Sequence, residues 1–192
     1  MLLTCDNLRV KRPTSSYVIA FTSLFFAGIA SLQGFYASFE AGIRGVAIAV
    51  LILGIVYAYY VIPALKVESD KVYILNPLTR HEIGLGAIEE VDTRFALNLS
   101  GDFGKVSAWA APAPSRLRHR SHPKEDFAVL GLKEGEEVRP SDLPSTITGS
   151  FAMQIRKAMA ENPADTSYLR APNWAGILTM ALPGLLVVLT HL

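Results

Sequence analysis

Three stretches of this chain hold almost no side chain that water can bind, and they limit what it can fold into. Pro13 to Phe39 carries no Asp, Glu, Lys, Arg or His over 27 residues, and Gly45 to Leu65 carries none over 21. From Ala171 to Leu192 the one ionisable side chain is His191. A helix rises about 1.5 Å per residue, so about 20 apolar residues cross the hydrocarbon core of a bilayer. All three stretches reach that length. A soluble protein able to bury three such helices would be much larger than 192 residues. The expectation is an integral membrane protein with three transmembrane helices. The first stretch opens on polar Thr14, Ser15 and Ser16, so its apolar part runs from Tyr17 to Phe39. Its length, and the poor cleavage site Ala37-Ser38-Phe39, favour a retained anchor over a signal peptide. Pro183 interrupts the third stretch, where membrane helices tolerate a kink.

Flanking charge sets the expected orientation. Arg9, Lys11 and Arg12 precede the first stretch, whereas the connection to the second, read here as Glu40 to Arg44, has one basic residue. Positive residues stay on the cytoplasmic side. The N-terminus is therefore expected inside, the connection outside, and the C-terminus outside. Lys66, Lys71, Arg156, Lys157 and Arg170 then share the cytoplasmic side with the N-terminus. Tyr57, Tyr59 and Tyr60 near the end of the second stretch, and Trp174 at the start of the third, suit the headgroup region. Small residues (Gly28, Ala30, Gly42, Gly45, Ala49, Gly54) permit close helix packing, most simply within the first hairpin.

Charge and cysteine content exclude several function classes. Net charge is +1, which gives no electrostatic case for nucleic acid. The single Cys5 cannot form an internal disulfide, and Leu2-Leu3-Thr4-Cys5 lacks the apolar stretch a lipoprotein signal requires. No Asp, Glu, Lys or Arg lies deep in an apolar stretch, which argues against a pump or proton path. Gln33, the most polar residue there, is expected to bond a neighbouring helix.

Between the second and third stretches, residues 66–170 are near neutral, with 14 basic and 15 acidic residues. Strands are expected at Lys66–Ser69, Lys71–Leu75, Thr79–Ile83, Ala87–Asp92, Phe95–Leu99 and Lys105–Trp109, with Phe95, Leu97 and Leu99 on one face. Asn76-Pro77 and Ser100–Gly104 are turn signals. Short strands at this spacing suggest a meander or small barrel. From Ala110 to Pro144 prolines interrupt the chain, and a loop is expected. Ser145 to Asn162 reads as a helix, with Phe151, Ile155, Ala158 and Met159 at helical spacing.

Chemical motifs are sparse. Gly84-Leu85-Gly86 lacks the further glycine and lysine of a phosphate loop and reads as two turn glycines. His119 and His122 sit in a proline-flanked loop without cysteine, so no metal site is expected. Glu89, Glu90 and Asp92 read as a solvated strand edge, and no serine or cysteine has a base beside it in sequence. No catalytic residue and no cofactor are expected. The basic run Arg116, Arg118, Arg120 and Lys124 is the candidate contact for anionic lipid or an acidic partner, at about 1 kcal/mol per charge. Glu125, Asp126, Glu134, Glu136 and Glu137 follow it and offset that attraction, and a solvated loop is the plainer reading.

Tyr73-Ile74-Leu75-Asn76-Pro77 with Arg80, the segment Ile88 to Arg94, and Val106-Ser107-Ala108-Trp109-Ala110-Ala111-Pro112-Ala113-Pro114 resemble the pleckstrin-homology-like (PH-like) domains of actinobacterial membrane proteins. Two preceding membrane helices are usual in that family. The resemblance covers roughly residues 15–115 and implies a small β-rich PH-like domain with no assigned activity; the flanking charge puts it on the cytoplasmic side, and the helix expected at Ser145 to Asn162, beyond the resemblance, caps it. Some small actinobacterial membrane proteins of this layout are accessory subunits of the respiratory cytochrome bc–cytochrome oxidase supercomplex, which the resemblance implies as a candidate partner. The expected organisation is a tail and helical hairpin over 1–65, a PH-like domain over 66–165 and a third membrane helix over 170–192. The expected function is that of a non-catalytic accessory or scaffold subunit of a larger complex in the cell membrane. The alternative is a membrane-anchored domain that binds anionic lipid headgroups or a peptide.

Overall fold

The structure, a computed structural model, describes residues 14–113, 140–161 and 164–192. The described helices are α1 (Thr14–Ala37), α2 (Phe39–Tyr60), α3 (Ile147–Glu161) and α4 (Trp174–His191). The strands are β1 (Ala64–Val67), β2 (Lys71–Leu75), β3 (Thr79–Gly84), β4 (Glu90–Asp92), β5 (Ala96–Gly101), β6 (Gly104–Pro112) and β7 (Tyr168–Pro172). They divide into two compact units. Of the described residues, one holds 64–75, 80–113, 140–161 and 164–171, and the other holds 14–63, 76–79 and 172–192.

In the helical unit α1, α2 and α4 are each long and apolar enough to cross a membrane. The turn between α1 and α2 is shorter than the five-residue connection expected at Glu40 to Arg44. It is Ser38 alone, with an extended backbone, whose hydroxyl caps α2 by accepting the Ala41 N–H at 3.1 Å. Glu40 and Arg44 lie inside α2 and pair across one turn at 2.6 Å. A carboxylate in the first turn also faces the positive end of the helix dipole, so both charges favour helix over loop. α2 packs against both α1 and α4. The helices therefore stand in a row with α2 in the middle.

Gly54 and Pro183 explain how α4 meets α2. Proline has no N–H, so Pro183 leaves the Thr179 carbonyl without its donor four residues on. That carbonyl is aimed at Gly54, where an added Cβ would stand 2.5 Å from the oxygen. Only glycine lets the α2 backbone close on it, and its Cα–H is the group that meets the oxygen. α4 runs unbroken through Pro183.

The sheet unit has two antiparallel sheets, ordered β1-β2-β3-β7 and β4-β5-β6. In β2 and β3 alternate residues point inward, with Val72 opposite Ile83 and Ile74 opposite His81. In the second sheet Leu99 faces Val106 and Leu97 faces Ala108, followed by a register shift at Ala96/Leu97. These inward residues form one core with Leu65 and Leu85. α3 closes it with Ala152 and Ile155, both fully buried. The expected helix at Ser145 to Asn162 is found as α3.

Several details differ from the expectation: β1 is Ala64–Val67 instead of Lys66–Ser69, and β6 runs on to Pro112 where a loop is expected from Ala110. Phe95 does not share the inward face of Leu97 and Leu99. It lies before β5 and is 74% exposed. The strand expected from Ala87 starts only at Glu90, because Leu85–Ala87 forms a 3-10 turn. An unexpected strand, β7, completes the first sheet. Gly84 N–H donates to Ser167 O, and Gly86 N–H donates to Asp165 O, each at 2.7 Å. The two glycines serve strand pairing, not only a turn.

Candidate functional site

In the sheet unit the polar side chains are largely committed to structure. Thr148, fully buried in the first turn of α3, donates to Pro112 O at 2.7 Å and so fixes the end of β6. Thr93, 2% exposed, donates to Asp142 Oδ1 at 2.8 Å. Arg156 donates to Val91 O at 3.0 Å and lies 3.7 Å from Asp142. Lys71 pairs with Asp165 at 3.2 Å, and that hydrogen bond raises its pKa. Asp165 is held below the usual carboxylate range by hydrogen bonds from Ser167, whose N–H donates at 2.7 Å, with help from Lys71. Asn98 is 4% exposed, and its Nδ2 donates to Ala96 O while its Oδ1 accepts from Ser107. Asn98-Leu99-Ser100, which has the form of a glycosylation sequon, is thus folded into β5.

One cluster combines a titratable group with aromatic rings. His81 Nδ1 and the Tyr168 hydroxyl lie 3.0 Å apart, and Phe103 stacks on the Tyr168 ring at 4.8 Å. Burial lowers the His81 pKa, and the Arg170 cation lowers it further. His81, Tyr168 and Phe103 thus pack as one cluster, with the imidazole and the phenol joined at hydrogen-bond distance. Among the described residues no group of three or more His, Cys, Asp or Glu is placed to hold a metal ion. Arg80 Nε is the one buried side-chain nitrogen or oxygen among them that lacks a hydrogen-bond partner.

The candidate lipid or partner contacts Arg116, Arg118, Arg120 and Lys124 lie outside the described residues, as do His119, His122 and Cys5. Gln33, expected to bond a neighbouring helix, is exposed on α1. Ser31 of α1 is buried and donates to Ala27 O at 2.8 Å.

The helical unit holds two features that the sequence does not single out. The first is a cavity of about 260 Å³ at the end of the unit that carries Ser38, lined by Phe35, Phe39, Ile43, Val46, Leu186 and Thr190. Its wall is almost wholly apolar. The Thr190 hydroxyl is spent on Val187 O at 2.9 Å, and its carbonyl accepts Arg44 Nε at 3.0 Å. Such a space is suited to an apolar occupant.

The second feature is a clamp around Asn173, which is 6% exposed. Its Oδ1 caps α4 by accepting the Gly176 N–H at 3.4 Å, while its Nδ2 donates to Asn76 O at 2.9 Å and to Pro77 O at 3.3 Å. Its own N–H donates to Leu78 O at 2.9 Å. An added Cβ on Gly176 would collide with Pro77 O, so only glycine admits the turn. The Asn-Pro pair is legible in the sequence as a turn signal. Its seat on a helix start 97 residues further along is not.

No protein-family model, no curated protein and no solved structure matches the chain.

Proposed function

We propose that the chain is a non-catalytic accessory subunit of a larger complex in the cell membrane. The helical unit spans the bilayer, and the sheet unit is a PH-like domain on the cytoplasmic side. The observation that carries this reading is the row of three helices. With α2 in the middle, the unit has no polar interior through which a solute could pass, and its large apolar side chains point outward. Phe21, Phe26, Leu32, Leu182 and Leu189 are each at least 60% exposed. Such a layer is suited to lie against another membrane protein.

Charge supports the orientation. α2 and α4 are antiparallel, since Arg44 meets Thr190 while Gly54 meets Thr179. The chain therefore leaves and re-enters the helical unit at one end. α1 is antiparallel to α2, which brings its N-terminal end to the same side. In the sequence Arg9, Lys11 and Arg12 precede α1 and Lys66 follows α2, the charge pattern of a cytoplasmic face. The two antiparallel sheets of four and three strands, with α3 against their core, support the PH-like reading. The respiratory cytochrome bc–cytochrome oxidase supercomplex is the partner that the sequence resemblance implies.

The test is co-purification from native membranes in mild detergent, with mass spectrometry of what is retained. Gly28 and Gly184 have open space where a side chain would grow. Gly28→Leu and Gly184→Leu therefore leave the fold intact. On this reading at least one of them strips the partner complex from the preparation. An unsubstituted chain that purifies alone, or a partner complex retained in full by both variants, overturns the reading.

A further inference from the structure

α4 has 18 residues, which at about 1.5 Å each gives about 27 Å. The hydrocarbon core of a bilayer is about 30 Å thick. A helix this short has no length to spare, so if it spans, both ends lie at the boundary between acyl chains and headgroups. Asn173 sits at the first of those ends and, through the bonds described above, holds the 76–79 turn level with it. The turn has no charged residue. Its outward side chain, Leu78, is 49% exposed, and Trp174 beside the same cap is 65% exposed. Tyr57 and Tyr60, exposed at the end of α2, belong to the same level, because Gly54 already meets Thr179 one turn deeper.

We propose that the 76–79 turn is a lipid contact, with Leu78 entering the headgroup–acyl boundary of the leaflet where α4 begins. This rests on the membrane-spanning reading of α4. A leucine left half-exposed and held by backbone bonds at that depth meets lipid, not bulk water. Trp174 completes the contact, since an indole favours the same layer. The occupant is the lipid of that leaflet, and no particular headgroup is required, because the turn offers no cation to select one.

The test uses the full chain, with Cys5→Ser, reconstituted in vesicles of phosphatidylethanolamine and phosphatidylglycerol. A nitroxide is attached at Leu78→Cys, and its collision rates with oxygen and with a water-soluble nickel chelate are compared. Leu182→Cys, in the middle of α4, and Phe95→Cys, in the sheet unit, are the reference sites. The oxygen-to-nickel ratio at Leu78 is expected to exceed that at Phe95 several-fold and to fall below that at Leu182. If Leu182 reads as lipid while Leu78 reads like Phe95, the lipid contact is overturned and the spanning helix stands. If Leu182 itself reads as water, the spanning reading falls and the inference falls with it. Quenching of Trp174 fluorescence by lipids brominated near the headgroup, with Trp109→Phe, gives a second depth reading that needs no label on the turn.

Discussion

His81 is a buried imidazole with a cation for company. Burial acts first, and Arg170 adds to it, so its pKa in the folded chain lies below the ordinary imidazole value. The unfolded chain binds the proton more readily, so the stability linked to His81 is complete above about pH 6.5 and declines as the pH falls from there through the folded value. Thermal unfolding of the detergent-solubilised chain between pH 8 and pH 5 should show this decline, and His81→Gln should flatten it. An unchanged profile in the variant would assign the pH response elsewhere. The sequence says little about this residue. Thr79–Ile83 reads as a strand, but alternation does not reveal that its histidine faces inward, because the aromatic partners Tyr168 and Phe103 come from segments far along the chain. Thr148 is similar. Its position in a helix is legible, while its bond to the end of β6 needs the tertiary fold.

Among the elements, α2 and α4 depend on one glycine. A side chain at Gly54 must push the Thr179 carbonyl away, and overfilling a tight contact costs about 1–3 kcal/mol. Gly54→Leu is expected to lower the unfolding midpoint of the purified chain. Pro183→Ala gives that carbonyl its own donor within α4, so the two substitutions should not add. Additive effects in the double variant would show that the glycine and the proline act separately. The helices themselves are legible because the absence of charge over twenty or so residues is a strong signal. The turn between α1 and α2 is easily misplaced from sequence, because Glu40 and Arg44 look like loop charges. In a helix they are neighbours one turn apart, and Ser38 is the better cap. Most strands are legible from alternation and turn residues. β7 is not, since Tyr168–Pro172 is five residues beside an apolar run and is a strand only because β3 offers an edge. Counting in twos puts Phe95 inward, but the strand begins after it.

For the whole molecule, the proposed orientation makes a simple prediction. With Cys5→Ser, a cysteine at Ser38 should react with a membrane-impermeant maleimide added to intact cells, while one at Phe95 should react only after the cells are opened. The reverse pattern would invert the topology, and labelling at neither site until lysis would place the whole chain in an internal compartment. The candidate contact surface is the least legible part of the chain. Four basic residues can be read off the sequence, whereas the Asn173 clamp joins residues 97 positions apart through backbone carbonyls that no sequence pattern advertises. Ser38 carries one more implication, for biogenesis. A single residue between two apolar helices leaves no hydrophilic segment to be threaded across on its own. On the membrane-spanning reading α1 and α2 therefore enter the lipid as one folded pair, and a ribosome stalled before Tyr60 would hold an anchor that has not yet acquired its return path.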